Sequence, residues 1–89
     1  MKNIKYSTQA KKDLKRFLRF PDKMRKLYSV LKTLQEERPL PEDFKRHTLQ
    51  GDLSGLLECH IDNDFLLIWN DVDDIYIVRI GSHSELFNK

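Results

Sequence analysis

The three histidines of this chain are the side chains best suited to moving protons. They are His47, His60 and His83, and they share the second half of the sequence with Asp64 and Arg79. An unperturbed histidine has a pKa of ~6.5, so it can donate or accept a proton near neutral pH, and a nearby carboxylate can orient it. Arginine is a permanent cation that can bind two phosphate oxygens at once. Because no serine or cysteine nucleophile accompanies a clear base, the set favours metal-free cleavage of a phosphodiester, as in internal cleavage of RNA.

A metal site is one alternative use for three histidines. Their separations of 13 and 23 positions match no recognised metal-ligand spacing, and neither an HExxH element nor a pair of cysteines accompanies them. Cys59 is the single cysteine, so no internal disulfide can form, and it is more typical of a small core residue than of a reactive thiol. We therefore expect neither a metal nor another cofactor.

The basic residues are concentrated in the first half of the chain. Residues 1–50 carry 14 Lys/Arg and 6 Asp/Glu, whereas residues 51–89 carry 2 and 8, which gives the halves net charges of +8 and −6. A basic half can follow a phosphate backbone, because each neutralised phosphate releases counterions. An ordinary solvated helix surface would have the same composition, and charge alone does not distinguish the two.

Length and composition favour a small globular protein. The 89 residues, of which 39% are hydrophobic and 34% charged, predict a single domain spanning residues 1–89. The longest apolar run, residues 65–69, is far shorter than the ~20 residues of a membrane-spanning helix, and the N-terminus does not resemble a signal peptide. We expect no membrane association and a cytoplasmic location.

Helical spacing of apolar residues predicts two helices in the first half. Residues 2–6 are a candidate first strand, after which Ser7 or Thr8 can cap a helix. Its predicted apolar positions are Ala10, Leu14, Phe17 and Leu18. A second helix is expected after Pro21, with an apolar stripe formed by Met24, Leu27, Tyr28, Leu31 and Leu34. The prolines within residues 38–41 predict a surface connection through residue 44.

The apolar spacing changes to two in the second half, which predicts strands. In residues 57–61, Glu58 and His60 are expected to project together from the exposed face of a strand. Residues 65–69 and 75–80 are apolar on both faces, as central strands require, and the acidic segment 70–74 predicts a hairpin turn. The fold class is α+β, with two N-terminal helices packed on a largely antiparallel sheet of three to five strands.

Four segments of the sequence together resemble the YafQ-type toxins of the RelE/ParE superfamily. They are HTLQG at residues 47–51, ECHI at 58–61, DFLLIW at 64–69 and RIGSHSELF at 79–87. The resemblance covers nearly the whole chain and implies a small RelE-like, microbial-RNase-like domain. It implies an endoribonuclease that cleaves mRNA without a metal, typically on a translating ribosome at adenine-rich codons. It also implies a cognate antitoxin, usually a ribbon-helix-helix protein, through which alone the toxin contacts operator DNA.

The same resemblance implies a set of catalytic residues. They are His47, His60, Asp64, Arg79, His83 and Phe87. Asp64 is expected to act as the base on the ribose 2′-OH and His83 as the acid at the leaving oxygen. Arg79 would bind phosphate, and the other two histidines would stabilise the transition state.

Further residues have supporting roles in this interpretation. Phe87 could stack on a base of the message, and so could Phe65, although core packing is favoured for Phe65. Glu58 would orient a neighbouring histidine, with an ordinary exposed strand carboxylate as the alternative. Contact with ribosomal RNA is expected for Lys11, Lys12, Lys15, Arg16 and Arg19.

Leu57 departs from the resemblance, because many relatives have an arginine at this position. The absence of that arginine could weaken activity or transfer phosphate binding to Arg79.

The alternative function is that of a non-catalytic superfamily member that acts by protein binding, as an antitoxin corepressor or a gyrase inhibitor. The histidines favour the nuclease, because gyrase-directed relatives generally lack such a cluster. A free-standing RNA-binding module is a third option, which no RNP, KH or glycine-rich signature supports.

Overall fold

The change in apolar spacing marks the change from helices to strands in the structure. The computed structural model describes residues 1–87. Its strands are β1 (Ile4–Tyr6), β2 (His47–Thr48), β3 (Leu57–Asp62), β4 (Phe65–Asp71) and β5 (Ile75–Gly81), and its α-helices are α1 (Thr8–Phe17), α2 (Pro21–Gln35) and α3 (His83–Phe87). Short 3-10 turns lie at Glu42–Phe44 and Gly51–Leu53. Within residues 1–87, none of these helices has the length and apolar character needed to cross a membrane.

The five strands form one sheet in the order β1-β5-β4-β3-β2. β1 runs parallel to β5, and the other neighbouring pairs are antiparallel. β4 occupies the centre, and its residues 65–69 are buried on both faces. The turn between β4 and β5 lies within the acidic segment that predicted a hairpin. The predicted fold class is therefore confirmed.

The two long helices cover one face of the sheet with an apolar core. This core includes Leu27 and Leu31 of α2 together with Leu67 and Trp69 of β4. Since alternate side chains of a strand point to opposite faces, Leu66 and Ile68 lie on the second face of the sheet, where they are also buried. The second face carries the polar residues considered below.

Two residues of the predicted apolar stripes are exposed instead. Leu18 lies at the end of α1, where the helix turns away, and Tyr28 lies about 100° around α2 from the buried Leu27. Val30 fills the buried side of α2 in place of Tyr28. The stripes are otherwise buried or half-buried as predicted.

The first helix completes one edge of the sheet. β1 pairs with β5 only as far as Ile77. Beyond that point the Ser7 hydroxyl donates to the carbonyl of Val78 at 2.7 Å, and the Asp13 Oδ2 accepts from the N–H of Ile80 at 2.9 Å. The same Ser7 oxygen accepts from the N–H of Ala10 and so caps α1, as predicted. Backbone groups that β1 does not reach are thereby satisfied by α1.

Candidate active site

The three histidines form a row on the second face of the sheet. Cys59 of β3 belongs to the apolar core, so its neighbours Glu58 and His60 face the other way. β2 places His47 directly beside Glu58. The ring centroids of His47 and His60 lie 6.5 Å apart, and those of His60 and His83 lie 5.8 Å apart. The structure thus brings together side chains that are separated by up to 36 positions in the sequence.

Phe87 extends this row of rings at its far end. Its ring centroid lies 6.2 Å from that of His83, and the residue is half-buried. Phe65, by contrast, is 1% exposed and packs in the core against Phe17, with their ring centroids 4.9 Å apart. Core packing was the favoured interpretation of Phe65, and it is confirmed. Phe87 is therefore the aromatic residue of the two that a nucleotide can reach.

Asp64 holds His83 by two contacts. Asp64 lies in the tight turn between β3 and β4 and has a left-handed backbone conformation with φ of 51°, which aspartate tolerates better than most residues. Its Oδ1 accepts from the backbone N–H of His83 at 2.9 Å and lies 3.0 Å from the ring Nδ1. The backbone hydrogen bond from His83, followed by the ring contact, lowers the pKa of Asp64 below its ordinary value. A carboxylate at this position favours a proton on Nδ1, which leaves Nε2 for chemistry.

A capping box fixes the start of α3, the helix that carries His83. Glu85 Oε1 accepts from the N–H of Ser82 at 2.9 Å, and Ser82 Oγ accepts from the N–H of Glu85 at 3.2 Å. The backbone hydrogen bond from Ser82 lowers the pKa of Glu85. A helix of five residues has little stability of its own, so these contacts determine where His83 lies. This capping box was not among the predicted features, although the Ser-x-x-Glu spacing of residues 82–85 indicates one.

Gly81 allows α3 to approach β5 closely. A Cβ atom at this position would lie 2.8 Å from Glu85 Oε1 and 3.2 Å from Arg16 Nη2, and the φ angle of +159° is one that other residues rarely adopt. The close packing of α3 against this position therefore explains why the terminal motif has a glycine here.

A buried aspartate anchors the arginine that was expected to bind phosphate. Asp13 is fully buried, and its oxygens accept from Arg79 Nε at 2.9 Å, Arg79 Nη2 at 3.3 Å and Arg16 Nη1 at 2.7 Å. Burial acts to raise the pKa of Asp13, but the hydrogen bonds from Arg79, the N–H of Ile80 and Arg16 outweigh it and lower the pKa. Asp13 was not among the predicted site residues, because nothing in the sequence distinguishes it from an ordinary polar residue of a helix.

Arg16 is not simply a surface cation. It contacts Asp13 on its own helix and also Glu85 Oε2, with its Nε 3.2 Å away. It thereby links α1 to the capping box of α3. The other basic residues that were expected to contact RNA are also exposed: Lys11, Lys12 and Lys15 on α1, and Arg19 in the turn that follows it.

Two lysines of α2 lie near the site and were not predicted to. Lys23 Nζ lies 5.0 Å from the ring centroid of Phe65, and its charge contributes to the lowered pKa of Asp64. Lys26 forms an ion pair with Asp62 at the end of β3. Neither lysine belongs to the sequence segments that carry the family resemblance, which is why they were overlooked.

Glu58 is buried, so the expectation that it projects from an exposed face is wrong. It is 4% exposed and lies directly beside His47 of β2. Its Oε1 lies 3.0 Å from His47 Nε2, and His47 Nδ1 lies 2.7 Å from the carbonyl oxygen of Lys45. The contact with a neighbouring histidine is the arrangement that the sequence analysis favoured for Glu58.

Leu57 faces away from the histidine row. It is paired with Trp69 of β4 and packs against the apolar core on the helix side. An arginine at this position would start from the face opposite to the histidines. The absence of that arginine therefore leaves the histidine row itself unchanged.

The Cys59 thiol and a metal-binding cluster are two other sources of chemistry to consider. Burial raises the pKa of the Cys59 thiol to about 12, with the nearby Glu58 as the second cause, so this thiol is an unreactive core group. Within residues 1–87, no cluster of three or more His, Cys, Asp or Glu side chains is arranged to hold a metal ion.

Comparisons with known proteins agree on one family. Residues 2–88 match the family described as bacterial toxin of type II toxin-antitoxin system, YafQ. The mRNA interferase toxin YafQ of Escherichia coli K12 is 34% identical over 88 residues, which cover 97% of this chain and 96% of that protein.

Solved structures give the same result. A chain of the E. coli DinJ-YafQ toxin-antitoxin complex superposes with a TM-score of 0.85 at 34% identity, covering 97% of each chain. A metal-bound toxin from Helicobacter pylori superposes with a TM-score of 0.88 at 38% identity, covering 98% of this chain and all of that chain.

Proposed function

Because this chain belongs to the YafQ family of bacterial toxins of type II toxin-antitoxin systems, we propose that it is an mRNA interferase, an endoribonuclease that cleaves mRNA. The family membership confirms the resemblance found in the sequence. The observation that carries the proposal is the histidine row, in which Asp64 holds His83 at one end and Phe87 extends the row beyond it. This arrangement offers proton-transfer groups and a stacking surface on one face of the sheet.

The proposed reaction is an internal attack within the RNA. The ribose 2′-oxygen attacks the adjacent phosphorus while the bond from phosphorus to the 5′-oxygen breaks, which leaves a 2′,3′-cyclic phosphate and a 5′-hydroxyl. Asp64 takes the proton of the 2′-OH with Oδ2, since Oδ1 already accepts two contacts from His83. The lowered pKa of Asp64 keeps it ionised and able to accept. His83 delivers a proton from Nε2 to the departing oxygen.

Positive charge stabilises the phosphorane-like transition state in this proposal. His47 and His60 lie in the same row as His83. Asp13 binds Arg79 through Nε and Nη2, which leaves Nη1 outside that contact. Phe87 stacks on a base next to the cleaved bond.

The partners follow from the family. We propose that the exposed basic face of α1 contacts ribosomal RNA, that cleavage occurs on translated, adenine-rich codons in the cytoplasm, and that no cofactor is required. A cognate antitoxin, expected to be of the ribbon-helix-helix type, neutralises the toxin, as the E. coli DinJ-YafQ toxin-antitoxin complex suggests by analogy. Contact with operator DNA occurs only through that antitoxin.

Mapping of mRNA 5′ ends tests the proposal. The wild type, His83→Ala and a control substitution at an exposed loop position, Gln50→Ala, are each induced briefly in cells that lack a cognate antitoxin. New cuts in frame with translation are expected for the wild type and the control but not for His83→Ala. A folded wild type that produces no cuts would contradict the proposal, and growth arrest with intact mRNA and reduced DNA supercoiling would identify a gyrase inhibitor instead.

A further inference from the structure

Both ring nitrogens of His47 face hydrogen-bond acceptors. Nδ1 lies 2.7 Å from the carbonyl oxygen of Lys45, and Nε2 lies 3.0 Å from Glu58 Oε1. A carbonyl oxygen can only accept, so Nδ1 carries a hydrogen. An ionised carboxylate can also only accept, so Nε2 must carry a hydrogen as well if Glu58 is charged. A neutral imidazole has one such hydrogen and cannot satisfy both contacts.

The surroundings of Glu58 favour a positive charge beside its carboxylate. Glu58 is 4% exposed, and its Oε2 is buried with no hydrogen-bond partner among residues 1–87. A buried carboxylate with one contact is unfavourable unless a cation compensates it. His47 supplies the contact at Oε1.

The other groups around the pair do not replace His47. Lys45 and Arg46 precede His47 in the chain and are exposed, Cys59 is a neutral thiol beside Glu58, and His60 is the next histidine of the row. In water a proton favours histidine over a carboxyl group, because the ordinary pKa values are ~6.5 and ~4.3. The half-exposed ring of His47 keeps part of its hydration, which also favours the charge on the ring.

We propose that Glu58 is a positioning residue that holds His47 as a doubly protonated imidazolium cation, so that His47 contributes fixed positive charge to the cleavage site and takes no part in proton transfer. The role in cleavage rests on the proposed nuclease function, whereas the protonation state does not. His60 differs from His47, because its ring nitrogens make no hydrogen bond within residues 1–87. The row therefore has a fixed cation at the β2 end and a proton donor at the α3 end.

Side-chain NMR of the isolated protein tests the protonation state directly. Correlation spectra of the ¹⁵N-labelled chain near neutral pH are expected to show both ring nitrogens of His47 bearing protons. In Glu58→Gln, the amide can donate to Nε2, so His47 is expected to become neutral with its single proton on Nδ1. Asp52→Asn, at an exposed carboxylate in the turn after β2, is expected to leave His47 unchanged. A neutral His47 in the wild-type spectrum would overturn the inference, whether or not Glu58→Gln folds.

Single-turnover cleavage tests the use of this charge. If His47 acts only as a cation, His47→Lys is expected to retain most of the cleavage rate, while His47→Gln is expected to lose about 10²-fold in the rate at saturating RNA. Equal losses in the two variants would overturn the cationic role. A wild type that shows the imidazolium but cleaves no RNA would contradict the proposed nuclease function instead, and with it the role in cleavage, and the protonation state would stand.

Discussion

The two histidine-carboxylate pairs of the site have the same separation but different surroundings. In each pair a ring nitrogen lies 3.0 Å from a carboxylate oxygen. The side chains of Asp64 and His83 are 58% and 57% exposed, whereas the side chain of Glu58 is 5% exposed and lies beside a half-exposed His47. An exposed pair can exchange protons with water and substrate, while a buried carboxylate favours a cation that stays in place. The difference in burial therefore underlies the different roles that we propose for the two pairs.

Removing the exposed pair is expected to have the largest effect on activity. His83→Gln and Asp64→Asn should each lower the single-turnover cleavage rate by about 10³-fold, since each removes one proton-transfer group. Each variant should also lose one limb of the bell-shaped pH profile of cleavage. Rates measured across a pH series check this expectation, and an unchanged bell in both variants would contradict the assigned roles.

Stability should respond in the opposite way to activity. Glu58→Ala should lower the free energy of unfolding by about 1–2 kcal/mol, because it empties a buried position and removes the contact with His47. Asp64→Ala should cost less, since water can replace an exposed carboxylate. Urea unfolding of both variants measures these free energies. A larger loss in Asp64→Ala than in Glu58→Ala would contradict the prediction.

The position of α3 can be disturbed without touching either pair. In Gly81→Ala the added Cβ would clash with the Glu85 carboxylate that caps α3, so we expect a loss of about 1–2 kcal/mol in unfolding free energy. Cleavage should fall as well, because His83 is the first residue of that helix. Ser54→Ala, at an exposed turn, serves as the control in both measurements. Full cleavage activity in a destabilised Gly81→Ala would show that the capping box does not position His83.

Protonation of Asp64 at acid pH should break its contacts with His83 and change the structure only locally. Because the pKa of Asp64 is lowered in the folded protein, its contacts with His83 are fully present above the ordinary carboxyl range and are lost as the pH falls through the lowered pKa, below ~3.9. The backbone amide resonance of His83 should therefore shift at acid pH in the wild type and not in Asp64→Asn. An amide shift that is the same in both would mean that another group causes it.

Local patterns were sufficient to predict the helices and strands, and the family resemblance identified the residues of the histidine row. The 3.6-residue spacing of Met24, Leu27, Leu31 and Leu34 predicts the buried side of α2, and the buried run at residues 65–69 predicts the central strand. The segments around His47, His60 and His83 carry the family resemblance, and the structure places their rings side by side. Sequence neighbours within one element determine the buried side of α2 and the central strand, so local spacing predicts them, whereas the histidine row joins three elements and was expected from the family resemblance.

Features that depend on distant contacts could not be predicted in the same way. Alternation alone places Glu58 beside His60 on one face, but its burial depends on β2, which comes ten residues earlier in the chain. Asp13 is distinguished by hydrogen bonds from Arg79 and from the backbone N–H of Ile80, which lie 66 and 67 positions away. Arg16 was assigned to RNA contact together with the neighbouring basic residues, since its contact with Glu85 joins opposite ends of the chain and has no local sequence signal. These roles exist only in the assembled sheet.

The parallel pairing of β1 with β5 has a consequence for how the protein folds. Ile4 aligns with Ile75, so a strand from the beginning of the chain can join the sheet only after one of the last strands is in place. Closing a loop of that length costs entropy before any contact offsets it, and such long-range pairing slows folding. β5 leads directly through Gly81 to His83. Docking of the first strand should therefore be a late step of folding, which follows the placement of the strand that leads to His83.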